Sequence, residues 1–158
     1  MSTNSGIVSR IANNNDGEAV RELVFGVLHE YGLKPDTEGI DRDLFDIEKN
    51  YLRRGGVFEV LEDPNGKIVG SVGLYPIDDE SIELRKMYFV REIRGRGLGK
   101  KTLNRMIATA EALGFNKIVL ETASPLVEAI GLYKSFGFTA VSAAHTPRCD
   151  QAFFLDLN

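Results

Sequence analysis

The chain reads ELRKMYFVREIRGRGLG from Glu83 to Gly99, an extended run that ends in a glycine-rich turn. Residues 81–90 alternate enough in polarity to predict a strand, and apolar residues recur at helical spacing between 103 and 113. A short apolar run at 118–120 predicts another strand. This order predicts a right-handed parallel crossover with the turn at the carboxyl end of its first strand, where α/β sheets bind ligands.

The glycines of this turn predict an anion site. Glycines between a strand and a helix let backbone N–H groups converge on an anion, and the helix N-terminus adds partial positive charge. Between 85 and 105 the chain has eight cations and one acid, while its net charge is −4, so the remainder carries −11. A basic island in an acidic chain suggests one discrete anion, such as a phosphate, and argues against broad nucleic-acid binding. The alternative is a solvated basic helix face.

Two phosphate-binding turns fit the spacing poorly. A dinucleotide fingerprint needs a third glycine where Lys100 stands, although Glu121 lies at a suitable distance to hold a ribose. The charged run at 83–86 is also unlike the buried parallel strand that opens that fold. A Walker-type loop needs Ser or Thr after Gly99-Lys100, and Lys101 stands there, which excludes it.

The remaining pattern predicts one mixed α/β sheet that begins with a strand. Asn15 and Glu18 suggest a capping box for a helix that ends at Gly32. Ser124 is expected to cap a later helix with Pro125 at its first position and Gly137 at its end. The other expected elements are short helices within 40–52, a hairpin of 57–62 with 67–75, and a last strand pair, 138–144 with 152–157.

Composition limits the class of protein. With 158 residues, 43% apolar and 27% charged, the chain is expected to form a single domain, 1–158. No apolar run approaches the length of a membrane span, and the first ten residues do not resemble an export signal, so a cytoplasmic location is expected. One cysteine and two distant histidines predict no metal site.

The quoted stretch, together with Leu120-Glu121-Thr122, the run Ala129-Ile130-Gly131-Leu132-Tyr133 and Gly137-Phe138, resembles the GNAT (Gcn5-related) N-acetyltransferase family. The similarity runs from about residue 56 to the C-terminus, and Arg94, Gly97 and Gly99 match the core motif Arg/Gln-x-x-Gly-x-Gly/Ala. The resemblance implies an α/β acyl-CoA N-acyltransferase fold: a mixed, mostly antiparallel central sheet with one parallel strand pair, flanked by helices. It implies an enzyme that uses acetyl-CoA to acylate an amine.

The resemblance also implies the cofactor site. Backbone amides of the turn would hold the pyrophosphate, and a bulge in the strand before it would free backbone groups to bind pantetheine as an added strand. Lys101 and Arg105 are candidates to reach the 3′-phosphate, with plain solvation as the alternative. The expected cofactor-binding residues are Met87, Tyr88, Phe89, Arg94, Gly95, Arg96, Gly97, Leu98, Gly99 and Lys100.

Catalytic roles follow from the same resemblance. The amide near Met87 would face the thioester oxygen, Tyr133 would protonate the departing sulfur, and Glu83 would be the general base. Four residues of strand from Glu83 to Met87 span about 13 Å, so the base would act through water. The alternative for Glu83 is a salt bridge to Arg85, and the alternative for Tyr133 is packing on the sheet.

The acceptor is expected to be a small-molecule amine rather than a protein N-terminus. Residues 40–56 and the loop after 144 would shape its pocket, where four acids could attract a cation or form a solvated helix face: Asp41, Asp43, Asp46 and Glu48. Family analogy suggests a homodimer through the last strands. A catalytically inactive acyl-CoA-binding or interaction module of the same fold is the alternative function. Cys149 and His145 lack a third partner for nucleophilic catalysis.

Overall fold

The computed structural model describes residues 6–142 and 147–157, which form a seven-stranded sheet flanked by three α-helices. The strands are β1 (Val8–Ile11), β2 (Val57–Glu62), β3 (Ile68–Pro76), β4 (Ser81–Phe89), β5 (Lys117–Thr122), β6 (Thr139–Val141) and β7 (Gln151–Asp156). The helices are α1 (Gly17–Glu30), α2 (Leu98–Ala112) and α3 (Val127–Ser135). Shorter turns are the 3-10 helices Asn14–Asp16, Arg42–Phe45 and Arg91–Ile93 and the π-helix Glu48–Leu52.

The strands lie in the order β1-β2-β3-β4-β5-β7-β6. In the described sheet β4 and β5 are the one parallel pair, joined by the predicted crossover through α2, and the other neighbours are antiparallel. The predicted fold class is therefore confirmed. The sequence pattern did not show that β7 inserts between β5 and β6, which makes β6 an edge strand.

Apolar side chains cover both faces of the sheet. Helices α2 and α3 pack on one face, where Leu103, Met106 and Tyr133 join the main cluster. Helix α1 and the segment 42–52 cover the other face, where Leu28, Leu44 and other buried residues form a second cluster. Because each face of the sheet is covered, the carboxyl end of β4 lies between two helical layers.

Two predicted helix caps are wrong. The capping box lies on Asn13 and Asp16, not on Asn15 and Glu18, because Arg10 of β1 binds the Asp16 carboxylate at 2.8 and 2.9 Å and holds it beneath Asn13. Ser124 does not cap a helix, since α3 begins at Val127. The hydroxyl of Ser124 instead donates to Asp150, whose Oδ1 also accepts from the Ser124 N–H at 2.8 Å.

Candidate active site

Strand β4 carries a bulge at Lys86 and Met87. Arg85 and Tyr88 pair with β3 residues that are only two positions apart, so Lys86 and Met87 occupy the place of one β3 residue. Lys86 has a left-handed backbone, with φ of 57°. The predicted bulge is therefore present, and neither Lys86 nor Met87 has a directly paired residue in β3.

Strands β4 and β5 separate just before this bulge. Their parallel pairing matches Ser81–Glu83 with 117–119 and ends there. Beyond that point β4 continues beside β3 to Phe89, while β5 continues beside β7 to Thr122. The two carboxyl ends thus diverge and leave a wedge-shaped gap in the sheet.

The glycine turn closes one side of this gap. Gly95 and Gly97 have φ of 77° and 79°, a conformation that L-residues avoid, and a Cβ on either would meet nothing within 4 Å. Gly97 is the N-cap of α2. Within residues 6–142 and 147–157, the N–H groups of Gly97, Leu98 and Gly99 donate to no other residue. The turn therefore presents open backbone donors at a helix N-terminus, which suits an anion.

A cavity of about 580 Å³ fills the gap between β4, the glycine turn and α3. The structure brings together here the predicted residues Met87, Tyr88, Phe89, Arg94, Gly95, Gly97, Leu98 and Gly99. Sequence reasoning did not assign several further lining residues to this site, among them Val27, Tyr31, Leu126, Glu128, Ala129 and Leu132. The run 129–133, quoted above for the family resemblance, was the available signal for the α3 wall.

Two predicted cofactor residues have side chains outside this cavity. Arg96 donates to the carbonyl of Glu92 at 3.0 Å and lines a separate depression. The Lys100 side chain is exposed on the first turn of α2. Arg105 does not project freely toward a phosphate, because its Nε binds Glu59 Oε1 at 2.9 Å.

Arg94 links the glycine turn to the end of α1. Its guanidinium binds both carboxylate oxygens of Glu30 and lies 5.5 Å from the ring centre of Tyr31. The hydrogen bond from Arg94 holds the pKa of Glu30 below its usual value. The end of α1 is therefore bound to the glycine turn.

A second cavity of about 70 Å³ continues the gap toward the middle of the sheet. Met87, Tyr88, Leu126 and Ala129 line both cavities. The smaller cavity also contains both predicted catalytic side chains, Tyr133 and Glu83, together with Glu121, Arg148 and Cys149. His145 lies outside the described residues.

Tyr133 is 6% exposed and packs near Phe138 and Phe153. Burial, with a smaller effect of Tyr88, raises the pKa of Tyr133 well above its ordinary value. Burial likewise raises the pKa of Tyr88 to about 12. Both phenols therefore carry their protons at neutral pH.

Glu83 forms an ion pair with Arg85, the alternative that the sequence left open. The Arg85 guanidinium also lies 3.8 Å from the ring centre of Tyr75 and 3.8 Å from Asp43. The Glu83 side chain remains 14% exposed. It thus lies in the smaller cavity with a fixed cationic neighbour, and its role as a base stays a prediction.

The four acids expected near the acceptor do not form a free negative surface. Asp41 is fully buried and binds Arg148 and Lys86, while Asp43 binds Tyr51 and Lys86. The other two, Asp46 and Glu48, accept hydrogen bonds from Asn14. The suggestion that they attract a cation is therefore not supported. Sequence reasoning missed the buried cluster because its members are distant in the chain.

The described residues contain neither a candidate metal-binding cluster nor a helix that could span a membrane. Among 6–142 and 147–157, no three His, Cys, Asp or Glu side chains form a group that could hold a metal ion. In the same ranges no helix has both the length and the apolar character that crossing a membrane requires.

Comparisons with known proteins agree with this geometry. The model of the acetyltransferase (GNAT) family matches residues 25–138. The N-acetyltransferase YjgM of Escherichia coli (strain K12), itself uncharacterised, is 34% identical over 142 residues, which cover 87% of this chain and 84% of that protein. A GNAT family acetyltransferase from Staphylococcus aureus Mu50 superposes with a TM-score of 0.90 at 26% identity, covering 96% of this chain and 99% of that one.

A structure with bound cosubstrate shares the fold. It is a GNAT family acetyltransferase from Elizabethkingia anophelis with acetyl-CoA bound, which superposes with a TM-score of 0.67 at 17% identity over 97% of this chain and 99% of that one. The open amides of the glycine turn and the adjoining cavity fit such a ligand. The chain belongs to the acetyltransferase (GNAT) family and is an acyltransferase that uses acetyl-CoA as cosubstrate.

Proposed function

We propose that the protein transfers an acetyl group from acetyl-CoA directly to the amine of a small molecule, within a ternary complex. One observation carries this proposal: the cavity beside the glycine turn and the cavity that contains Tyr133 and Glu83 share a wall at Met87. A donor held in the first cavity would therefore meet the acid and base candidates of the second at the bulge.

The turn 94–100 would hold the pyrophosphate through backbone amides, and the backbone of 87–89 would bind the pantetheine arm. The glycine conformations and the open N–H groups support the first contact. The bulge and the divergence of β4 from β5 support the second, because they leave strand backbone without a neighbour on that side.

When bound, acetyl-CoA supplies a thioester carbon that a neutral amine can attack. The Met87 N–H would donate to the thioester oxygen as negative charge develops there. Glu83 would accept the proton from the amine through a water molecule, and Tyr133 would donate its proton to the departing sulfur. One N–C bond forms, the C–S bond breaks, and both protons are accounted for by these two side chains.

The acceptor is assigned to a depression of about 560 Å³ between residues 39–50 and the sheet. Ile40 and Arg85 line both this depression and the smaller cavity, so the depression adjoins the Glu83 carboxylate. Its volume lies in the range of small-molecule sites. This match favours a small amine over a polypeptide as acceptor.

A homodimer and a cytoplasmic location complete the proposal. All three residues of the edge strand β6 are exposed, including Val141 at 45%, and an edge strand can pair with a second copy. Light scattering in solution would test the dimer.

The deciding experiment has two stages. Thermal unfolding with acetyl-CoA, and with NAD as control, tests the donor, because a ligand at 100 times its dissociation constant stabilises the fold by about 2.7 kcal/mol. A panel of small amines and short peptides is then screened for release of free CoA thiol, with Tyr133→Phe as the matched control. Turnover of small amines alone supports the proposal. Binding without turnover of any amine or peptide would favour the inactive acyl-CoA-binding alternative.

A further inference from the structure

The buried cluster of Asp41, Asp43 and Lys86 surrounds the bulge that precedes Met87. We propose that these three residues, together with Ser71, are positioning residues that hold the bulge and so aim the Met87 N–H at the thioester oxygen. This inference rests on the proposed function, since it assigns the parts that keep its oxyanion donor in place. The four residues are called the bulge clamp below.

Lys86 has a backbone conformation that needs external support. Among residues 6–142 and 147–157 it is the one residue other than glycine with positive φ. A left-handed backbone crowds Cβ against the following carbonyl, so a lysine adopts it only where its surroundings enforce it. The left-handed conformation coincides with the bulge. Whatever holds Lys86 therefore also sets the direction of the next peptide group, which carries the Met87 N–H.

The clamp holds Lys86 at both its side chain and its carbonyl. The side chain is 2% exposed, and its Nζ lies 3.3 Å from Asp41 Oδ1 and 3.2 Å from Asp43 Oδ1. The same Nζ donates to the carbonyl of Ile40 at 3.0 Å. On the other side, the buried Ser71 hydroxyl donates to the Lys86 carbonyl oxygen at 2.7 Å. That carbonyl belongs to the peptide whose N–H is that of Met87, so the Ser71 bond fixes the plane of the proposed donor.

The bulge also places two consecutive side chains on one face of β4. In a regular strand Arg85 and Lys86 would point to opposite faces, but here both contact Asp43. Asp43 also accepts from the buried Tyr51 hydroxyl. The carboxylate is thus held from several directions and gives Lys86 a fixed anchor.

Asp41 connects the clamp to both segments expected around the acceptor. It accepts two hydrogen bonds from Arg148, at 2.6 and 3.0 Å, and one from the Asp36 N–H at 2.8 Å. Arg148 also donates to the carbonyl of Lys34 at 3.0 Å. The segment after α1 and the loop before β7 therefore meet at the residue that anchors the bulge, which links the acceptor side of the site to the proposed oxyanion donor.

Stability alone does not require such a cluster. Taking charges out of water is costly, and a buried ion pair replaced by apolar residues of similar volume often leaves a protein equally stable. A regular strand with an apolar side chain at 86 would also avoid the left-handed backbone. The arrangement is explained if the protein uses its product, a peptide group between Lys86 and Met87 that lies outside the regular pairing and is held in one orientation.

The test observes the carbonyl of bound acetyl-CoA directly. Acetyl-CoA carrying ¹³C in its thioester carbonyl is bound to the protein, and isotope-edited infrared spectroscopy measures the C=O stretch. A hydrogen bond to the oxygen lowers this frequency. We expect the band of the wild-type complex to lie below that of free acetyl-CoA, because the Met87 N–H donates to it. The measurement needs no acceptor.

Two variants loosen the clamp by different routes. Ser71→Ala removes only the hydroxyl on the Lys86 carbonyl. The double variant Lys86→Met with Asp43→Asn removes an opposite pair of charges, while Asp41 keeps Arg148 as its partner. Both should return the carbonyl band toward the free frequency, with dissociation constants for acetyl-CoA within about threefold of wild type. Once an acceptor is known, kcat should fall about 10- to 100-fold in both. If the double variant does not fold, the carbonyl band of the Ser71→Ala variant alone decides whether the clamp holds the Met87 N–H.

The matched control is Arg10→Met. Arg10 is held by two carboxylates, Asp16 at 2.8 Å and Glu62 at 3.1 Å, but lies on the distant strand β1. The Arg10→Met substitution should lower thermal stability and leave the frequency of the carbonyl band unchanged. An undisplaced band in wild type, or a displaced band that both clamp variants retain, would overturn this inference alone. Failure of wild type to bind acetyl-CoA would overturn the proposed function as well.

Discussion

Two nitrogens of Arg94, Nε and Nη2, donate to the carbonyl oxygen of Phe89 at 2.9 and 2.7 Å. Phe89 is the last residue of β4, and Arg94 is the first residue of the glycine turn. The guanidinium therefore fixes the turn against the strand that forms the other wall of the larger cavity. Because its side chain is occupied in this way, we expect Arg94 to shape the larger cavity rather than to contact the cofactor directly.

Replacing Arg94 by Met should weaken acetyl-CoA binding about 10- to 100-fold, because hydrogen bonds from a charged donor contribute about 1.5–3 kcal/mol. Calorimetric titration with acetyl-CoA measures the effect. The matched control is Arg91→Met, since Arg91 also contacts Glu30, at 3.4 Å, but is 78% exposed. Equal affinities for the two variants would show that the bonds to Phe89 do not shape the site.

Gly97→Ala should destabilise the fold by about 1–2 kcal/mol, the cost of a left-handed backbone for an L-residue. It should also weaken acetyl-CoA binding, because the turn can relax that strain only by moving its amides. Gly26→Ala, at an exposed position in α1 with open space for a Cβ, should instead stabilise the protein by about 0.5–1 kcal/mol. Chemical denaturation of both variants measures these changes, and unchanged stability in Gly97→Ala would contradict the strain at this position.

Tyr133→Phe should lower kcat about 100-fold while the KM for acetyl-CoA changes little, because the substitution removes a proton donor and keeps the ring in place. Since burial raises the pKa of Tyr133, the wild-type rate should not decline through its deprotonation until well above pH 10. Rates measured across pH with a good acceptor check this prediction. If the Phe variant matched wild type at every pH, Tyr133 would not be the acid.

Glu83→Gln should lower kcat about 10- to 100-fold at neutral pH, and the loss should shrink as pH rises. At high pH the amine is already neutral in solution, so its attack depends less on proton removal by the carboxylate. Glu121→Gln is the matched control, because Glu121 lines the same small cavity. Both variants are compared in pH–rate profiles, and similar profiles would remove Glu83 from the base role.

Asp41→Asn should destabilise the protein by about 3–5 kcal/mol at pH 7, since it breaks a buried ion cluster. Burial opposes ionisation of Asp41, but Arg148 and Lys86 outweigh it, and the pKa lies below the ordinary 3.8. A depressed folded-state pKa gives stability that is present above the unfolded pKa and is lost as pH falls through the folded value. The difference in unfolding free energy from wild type should therefore be constant above about pH 5 and narrow below about pH 4. A difference in unfolding free energy between the two proteins that stayed constant down to pH 2 would contradict the depressed pKa of Asp41.

Local features could be read from the sequence because near neighbours decide them. The hairpin of β2 and β3, the glycine-rich turn, and the crossover from β4 to β5 depend on turn chemistry and periodicity within a few residues or a single connection. The wall of the larger cavity follows from the same elements. The predicted cofactor residues were therefore largely brought together.

Contacts between distant segments decided the rest. The capping box lies on Asn13 and Asp16 because Arg10 binds Asp16. Ser124 binds Asp150, which is 26 positions away in the sequence. Asp16 and Ser124 could each also take part in a cap with residues near them in the sequence, so the local pattern does not decide between the two partners. Only the folded chain shows which partner is within reach.

The sequence by itself determined the order of strands and helices, the position of the glycine-rich turn and the family, since these depend on short patterns of polarity, glycine and motif spacing. Tertiary structure alone decided that β7 lies between β5 and β6, that Glu83 is paired with Arg85, and that Asp41 meets Arg148 across 107 positions. Such pairings carry no periodic signal, because a buried charge is satisfied by whichever opposite charge the topology brings beside it.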